Sequence, residues 1–169
     1  MQYSNTVKFT LSAAILGFLA LGLASAPAVA QTDPATTTFG VSATVLKDCI
    51  VSATALAFGN YTGAVNNAQS TVTVTCTNTT TYTVGLGPGL ATGATVTTRQ
   101  MQNGAVLLPY ALYSDSTHTT NWGNTSATNW VSGTGNGAAQ PLTVYGQIAA
   151  LQYVTPGSYT DTIAVTVTY

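Results

Sequence analysis

The stretch FGVSATVL, residues 39–46, decides how this sequence is interpreted. Its side chains alternate with the period of two that is typical of a β-strand, and its apolar members are Phe39, Val41, Ala43 and Val45. The stretch precedes Cys49, where a compact β domain begins. The printed sequence ends inside a second alternating run, which comprises Ile163, Val165, Val167 and Tyr169. We therefore expect a spare strand in front of the domain and an uncovered strand at its end, so that copies complete one another's sheets.

Residues 1–30 have the features of a secretory signal peptide. Lys8 is the only early charge, residues 9–23 are apolar but short for a membrane span, and small residues occupy 28–30. An uncleaved membrane anchor is the disfavoured alternative. We expect cleavage to leave residues 31–169, with no membrane span and with enough chain for one domain with a real core.

The exported part of the chain carries almost no charge. Its only positive side chains are Lys47 and Arg99, against Asp33, Asp48, Asp115 and Asp161. Nucleic acids and anionic membranes are bound by clustered lysines and arginines, so neither is an expected partner. Weak electrostatic repulsion between copies favours self-association.

Two cysteines, Cys49 and Cys76, occur in this chain that we expect to be exported. An oxidising compartment favours disulfides, and no other thiol competes for either residue. We therefore predict a disulfide between them, which would stabilise a small β domain.

The rest of the sequence is typical of an all-β domain. Strands are predicted over 49–58, 71–77, 81–86, 95–102, 105–113, 142–151 and 159–169. Asn103-Gly104 is a strong two-residue hairpin signal. Pro109 lies in the second arm of this hairpin, 105–113, and indicates that this arm is an edge strand or is bulged. Six or seven short strands after Cys49 favour an immunoglobulin-like β-sandwich, with a barrel as the alternative.

Signals for catalysis or metal binding are scarce. His118 is the only histidine, and Asp115 lies three residues before it in a polar stretch, 114–140, predicted to be a loop. With both cysteines paired, one histidine and four scattered carboxylates provide neither a metal-ligand set nor an acid–base pair. We predict no catalytic residue, no metal site and no cofactor.

Trp122 and Trp130 allow a second reading of the function. Aromatic rings offer large faces to ligands, and these two lie among Asn-rich loops. The alternative function is therefore a secreted carbohydrate-binding β-sandwich module. The competing interpretation is that one or both rings close the end of the sandwich core.

Three segments of the sequence resemble one known family. Residues 39–45 (FGVSATV), 49–61 (CIVSATALAFGNY) and 157–167 (GSYTDTIAVTV) are similar to the opening and closing motifs of the spore coat protein U domain family. Most such proteins are similar to secreted subunits of archaic, Csu-type chaperone–usher pili, which are linked to adhesion and biofilm formation.

The resemblance implies an incomplete immunoglobulin-like β-sandwich that lacks its last strand. A periplasmic chaperone lends a strand first, and at the outer-membrane usher the N-terminal extension of the next subunit replaces it. The resemblance places the domain at 49–169 and the donor extension at 31–48. Phe39, Val41, Ala43 and Val45 match donor positions, and Ile163, Val165, Val167 and Tyr169 match the strand that lines the acceptor groove. It implies neighbouring pilin subunits, chaperone and usher as partners, a surface or host receptor, and a location in a secreted cell-surface pilus.

Overall fold

The computed structural model describes residues 33–125 and 128–169, so the predicted signal peptide lies outside the described residues. The chain divides into two units, 1–42 and 43–169. The described part of the first unit, 33–42, forms no regular secondary structure. The second unit contains eight strands: β1 Cys49–Ala53, β2 Asn66–Cys76, β3 Thr81–Leu86, β4 Arg99–Asn103, β5 Val106–Tyr113, β6 Val131–Thr134, β7 Gln140–Ile148 and β8 Val165–Thr168.

The strands form two antiparallel sheets, as expected of an immunoglobulin-like β-sandwich. The larger sheet has the order β1-β2-β7-β5-β4, and the smaller one has the order β6-β3-β8. The predicted all-β fold class is confirmed, and no helix occurs in the described ranges. Accordingly, no helix there is long and apolar enough to cross a membrane.

Most of the predicted strands occur, with several corrections. The first strand ends at Ala53 rather than at 58, and the closing strand covers only Val165–Thr168 of the predicted 159–169. β2 begins at Asn66 rather than at 71, because its polar first half also pairs with β7. This pairing starts with Asn66 opposite Ile148. The polar stretch 114–140 contains β6, which was predicted to be loop and pairs with β3. Both segments have few apolar residues, so tertiary pairing rather than hydrophobic alternation makes them strands.

The hairpin predicted at Asn103-Gly104 joins β4 to β5, and Gly104 has the positive φ of 59° that such turns require. Pro109 lies within β5, which is an inner strand of the larger sheet. It is tolerated there because the pairing of β5 with β7 covers only Ala111–Tyr113. The missing N–H of the proline therefore removes no bond to β7.

The core lies between the two sheets. Its fully buried apolar side chains come from alternate positions of the long strands, chiefly Val72, Val74, Tyr82, Val84, Leu86, Leu108, Leu112, Val144 and Ile148. Trp122 joins them and donates its indole N–H to the carbonyl oxygen of Val84 at 2.9 Å. The ring therefore fills the interior, with its polar atom satisfied.

The predicted disulfide joins Cys49 and Cys76, which are directly opposite each other in β1 and β2. Their α carbons are 4.1 Å apart, as in the closer, non-hydrogen-bonded type of antiparallel pair. The bond ties β1, an edge strand with a single neighbour, to the adjacent inner strand β2. The enclosed separation of 27 residues corresponds to roughly 3.5 kcal/mol of chain-entropy stabilisation.

Arg99 joins the two sheets from the inside. Its side chain is fully buried and donates to the carbonyl oxygens of Leu86, Gly87, Val96 and Trp122 at 2.7–2.8 Å. Burial lowers the pKa of Arg99 to about 10, while the nearby Tyr110 and Asp161 raise it. The guanidinium therefore stays charged at neutral pH, and carbonyl dipoles rather than a direct ion pair compensate that charge.

Tyr110 and Asp161 complete this polar network. The Tyr110 hydroxyl donates to one carboxylate oxygen of Asp161 at 2.7 Å, and the other oxygen accepts the main-chain N–H groups of Leu90 and Thr162 at 2.8 Å. Burial raises the pKa of Tyr110 above its usual value, and the hydrogen bond to Asp161 raises it further. Tyr110 is therefore a neutral donor that holds β5 to the chain leading into β8.

We expect the double variant Cys49→Ala/Cys76→Ala to lose about 3–4 kcal/mol of unfolding free energy, because its unfolded chain is no longer cross-linked. Denaturant titration measures this loss. Wild-type protein titrated with a reducing agent present is the control and should lose a similar amount. A loss below about 1 kcal/mol in both samples would show that β1 is held by its ladder and not by the disulfide.

Tyr110 should make the fold sensitive to alkaline pH. Its raised folded-state pKa contributes stability that is present below the unfolded pKa, about 10, and is lost as pH rises past that value. Tyr110→Phe should be less stable at neutral pH by about 1–2 kcal/mol and should lose stability less steeply above pH ~10. Tyr153→Phe, at a tyrosine that is 82% exposed, is the matched control and should keep the wild-type slope. Equal slopes in all three proteins would contradict the assignment.

Candidate functional site

The two sheets have four outer strands, β1, β4, β6 and β8, and two of these lie on the same side of the sandwich. β1 is an outer strand of the larger sheet, and β8 is an outer strand of the smaller sheet. Some α carbons of the two strands lie within 8 Å of each other, so both edges border the same side of the sandwich. The described chain has no strand beyond either of them.

The ladder between β3 and β8 shows which main-chain groups of β8 are free. Gly87 donates to the carbonyl oxygen of Ala164 at 2.9 Å, and the same register pairs Gly85 with Thr166 and Thr83 with Thr168. Main-chain groups in a strand alternate in direction, so even-numbered residues point toward β3. The N–H and C=O groups of Val165 and Val167, and of their odd-numbered neighbours Ile163 and Tyr169, therefore point to the open side.

The same reasoning applies to β1. Thr54 donates to the carbonyl oxygen of Thr71, and Thr77 donates to that of Asp48, both at 2.9 Å. Even-numbered residues of this edge are therefore bonded to β2. The main-chain groups of Cys49, Val51 and Ala53 point away from β2 and form the second free edge.

Side chains beside these edges face the interior without being covered. Val51 is directly opposite Val74, which is fully buried, and opposite residues of an antiparallel pair lie on the same face. Val51 is nevertheless 42% exposed. A core-facing position that remains open to solvent indicates that one layer of packing is missing here.

A groove opens beside these two edges, where Ala53 of β1 and Val165 of β8 line it. One cavity of about 390 Å³ has Ala53–Leu56 on one wall and Tyr159–Val165 on the other, above a floor of buried side chains that includes Val72, Leu86, Leu112 and Val144. A second cavity of about 990 Å³ shares Leu56, Phe58, Met101 and Tyr159 with the first and extends to residues 59–63 and 152–158. Together they form one continuous groove, called the open groove below.

Leu56 and Phe58 reach the floor of the open groove because Gly146 leaves room for them. A Cβ atom at Gly146 would lie 2.8 Å from Leu56 and 2.9 Å from Phe58. The Phe58 ring also meets Tyr110 edge to face, with the ring centroids 6.1 Å apart. The middle of the floor is thus aromatic and aliphatic, with the Tyr110–Asp161 pair as its polar border.

Of the predicted acceptor residues, the structure places Val165 and Val167 in β8, whereas Ile163 precedes this strand and Tyr169 follows it. Ile163, Val165 and Val167 are half-buried and pack against the core, whereas Tyr169 is exposed. The opposite wall, Ala53–Leu56, was not assigned to a groove from the sequence. It lies in the predicted strand 49–58, of which only Cys49–Ala53 is a strand. Its apolar residues change from odd to even numbers between Ala53 and Leu56, and this break hides the pattern from a period-two analysis.

The predicted donor residues belong to no sheet. Residues 33–48 contain no strand, and Phe39, Val41 and Val45 are among the most exposed large apolar side chains of the described residues. Alternating apolar side chains that face water are unfavourable unless something covers them.

The structure corrects the carbohydrate-binding alternative. Trp122 is 1% exposed and cannot present a face to a sugar, so it forms no binding platform with the half-buried Trp130. The competing interpretation, a ring that fills the core, holds for Trp122.

Asp115 and His118 have structural roles in their loop. Hydrogen bonds from Thr117, Thr119 and Thr120 lower the pKa of Asp115 and fix the loop, with the Thr117 hydroxyl as the largest cause. The His118 ring packs edge to face against Tyr113 and Tyr145. Within residues 33–125 and 128–169, no three His, Cys, Asp or Glu side chains come together as metal ligands.

The chain is similar in sequence to a known protein and in fold to a solved structure. It is 40% identical over 87 residues to Protein U of Myxococcus xanthus, and this match covers 50% of the chain and 48% of that protein. The fold matches a chain of the solved complex between a chaperone and the tip adhesion subunit of the archaic chaperone–usher Csu pili of Acinetobacter baumannii. The TM-score is 0.55 at 25% identity, over 75% of this chain and 41% of that one. The chain therefore spans about half of the relative's length and less than half of the solved chain's.

The comparison with family models covers most of the molecule. The Spore Coat Protein U domain matches residues 35–166, a range that includes the exposed 39–45 segment, both walls of the open groove and the disulfide. The family and the fold are those of structural subunits and not of enzymes, as the sequence predicted. The chain belongs to the Spore Coat Protein U domain family.

Proposed function

We propose that this protein is a structural subunit of a chaperone–usher pilus, that it is exported through the periplasm to the cell surface, and that it polymerises by donor-strand exchange. Residues 39–45 of one copy occupy the open groove of the next. A periplasmic chaperone and an outer-membrane usher are the partners during assembly. Adhesion and biofilm formation are the roles that the finished filament serves.

One observation carries this proposal: two unpaired strand edges flank an apolar groove, and the chain also carries an exposed alternating segment of strand length. An unpaired edge is a template for another strand, and main-chain hydrogen bonds provide affinity while side-chain pockets set the register. Donor and acceptor are thus complementary in both of the interactions that strand addition uses.

The magnitude of the interaction is sufficient. Fully burying a side chain of the size of valine or phenylalanine contributes about 1.5–3 kcal/mol. Phe39, Val41 and Val45 together contribute on the order of 5–9 kcal/mol before hydrogen bonds and ordering costs. Hydrogen bonds to the free edges of β1 and β8 add to this value, because those main-chain groups otherwise bond only to water.

The similarity to the Csu complex supports the assembly partners. In that solved structure a chaperone is bound to a tip adhesion subunit before assembly. An isolated subunit of the present family has the same need, because a sandwich with an open side exposes both an apolar groove and two strand edges. A chaperone that lends a strand would protect both until the next subunit arrives.

The register of the exchange follows from the parity of the free edge. Residues 39–45 of one subunit lie beside 163–169 of the next, and the odd-numbered side chains of both segments face the shared core. A shift by one residue would turn Phe39 and Val41 to solvent and bring Ser42 and Thr44 inward. The half-buried state of Ile163, Val165 and Val167 supports this choice of face.

The register predicts opposite outcomes for two neighbouring substitutions. Val41→Asp should block assembly, because it would bury a carboxylate without a partner, whereas Ser42→Asp should reduce assembly no more than about threefold. Native electrophoresis after mild heating measures the strand-exchanged ladder in both variants. Equal effects of the two substitutions would mean that this segment does not insert as a strand.

Deletion of residues 31–46 should separate the binding of a donor strand in the groove from the donation of a strand to the next copy. The truncated subunit retains the open groove, so it should still bind a synthetic peptide of residues 35–47, observed by fluorescence anisotropy. It should not extend a chain through its own front end, because it has no donor segment. Long polymers formed by the truncated subunit alone would contradict the donor assignment.

A further inference from the structure

Leu151 combines two unfavourable properties. Its backbone has a positive φ of 65°, a left-handed conformation that side chains with a Cβ atom rarely adopt. Its side chain is also 70% exposed. Neither property stabilises the isolated subunit. A strained backbone conformation that persists at an exposed side chain is a reason to look for a function of Leu151.

The loop that carries Leu151 is held in place from several sides. The N–H of Leu151 donates to the carbonyl oxygen of Gly63 at 2.9 Å. The Tyr61 hydroxyl donates to the carbonyl oxygen of Ala149 at 2.6 Å and accepts the N–H of Gln152 at 3.0 Å. The exposed side chain is therefore presented by a fixed backbone and is not the result of a frayed loop.

Leu151 lies at one mouth of the open groove, next to another exposed apolar side chain. Tyr153 is 82% exposed and lines the 990 Å³ cavity at that end. The Tyr153 ring lies close to Gly63, whose carbonyl oxygen accepts the N–H of Leu151. Val65, two residues after Gly63 in the chain, is also exposed. We call Leu151, Tyr153 and Val65 the mouth patch.

The short connection between donor segment and domain limits where the next copy can lie. Only residues 46–48 separate Val45 from Cys49 at the start of β1. Four residue steps span at most roughly 14 Å when fully extended. If residues 39–45 occupy the groove of one copy, the domain of the donating copy must therefore lie directly against the mouth through which its chain leaves.

We propose that the mouth patch is the contact surface for the domain of the neighbouring copy of this chain, formed when that copy's donor segment occupies the open groove. This inference rests on the proposed donor-strand function. Continuity of the patch with the groove and the short connection identify the occupant as a second copy. The exposed apolar side chains of the mouth patch are then covered in the filament. The left-handed backbone holds the Leu151 side chain in position before the neighbouring copy binds.

The proposal also fixes the direction of the inserted strand. The mouth patch lies at the end of the groove where the chain enters the segment leading to β8, near Tyr159. The donor chain leaves at that end only if it runs antiparallel to β8. A parallel strand would leave beside Tyr169 and would keep the mouth patch uncovered.

Leu151→Asp and Leu107→Asp are a pair that tests this surface. Leu151 bonds to Gly63, which lines the larger cavity, whereas Leu107 is an exposed leucine of β5 that lines neither cavity, and neither does its ladder partner Gln102. We expect Leu151→Asp to slow polymer growth of the full exported chain by about tenfold or more, because a charge enters an apolar contact. Its affinity for the free 35–47 peptide should change by less than about twofold, since a peptide brings no domain with it. Leu107→Asp should leave both measurements unchanged.

Leu151→Gly is the second variant, because glycine adopts the left-handed conformation without strain. It should keep or raise the melting temperature and still slow polymer growth by several-fold. Equal growth of Leu151→Asp and Leu107→Asp would overturn the proposal, as would an equal loss of peptide binding and polymer growth in Leu151→Asp. Failure of the wild-type groove to bind the peptide would instead refute the donor-strand function itself.

Discussion

The structure depends on one constraint: every main-chain N–H and C=O at the side of a β-sandwich core needs a partner, and on one side of this sandwich the partner is missing. The odd-numbered main-chain groups of β1 and β8 are free of their own ladders, and Ala53 and Val165 at the ends of these strands line the groove above its apolar floor. Water can satisfy the main chain there but not the side chains. The groove, the exposed 39–45 segment and the low charge of the chain are consistent with completion by another strand.

The polar network in the interior explains how a sandwich with an open side keeps its two sheets in place. Arg99 from β4 donates to carbonyl groups at the end of β3, and Tyr110 from β5 donates to Asp161 before β8. The chain also changes partners at this point, from the bridge between Thr160 and Gln102 to the ladder with β3. Asp161 therefore provides acceptors where the regular ladder is interrupted. These bonds join the two sheets from the inside, beside the open groove.

Much of this architecture could be predicted from the sequence, and the exceptions have physical reasons. The turn signal Asn103-Gly104 identified the β4–β5 hairpin. Alternation identified β3, β7 and the part of the closing run that forms β8, because each of these segments places apolar residues on one face of a half-buried sheet. β6 could not be found this way, since Val131 is its only large apolar residue and its pairing with β3 is what makes it a strand. The role of Arg99 was also missed, because a single arginine gives no indication of burial when its partners are carbonyl groups from three separate segments.

Sensitivity to proteolysis is a consequence of where the basic side chains of the described ranges lie. Arg99 is sealed inside the sandwich, whereas Lys47 is exposed just before β1. Trypsin-like proteases cleave after lysine and arginine, so residues 33–125 and 128–169 offer them one accessible bond. In the proposed filament, cleavage there would detach the donor segment from the domain that supplied it and would break the continuity of the filament while leaving each sandwich intact. Wherever neighbouring domains cover that connection, these residues would offer no accessible site to such an enzyme.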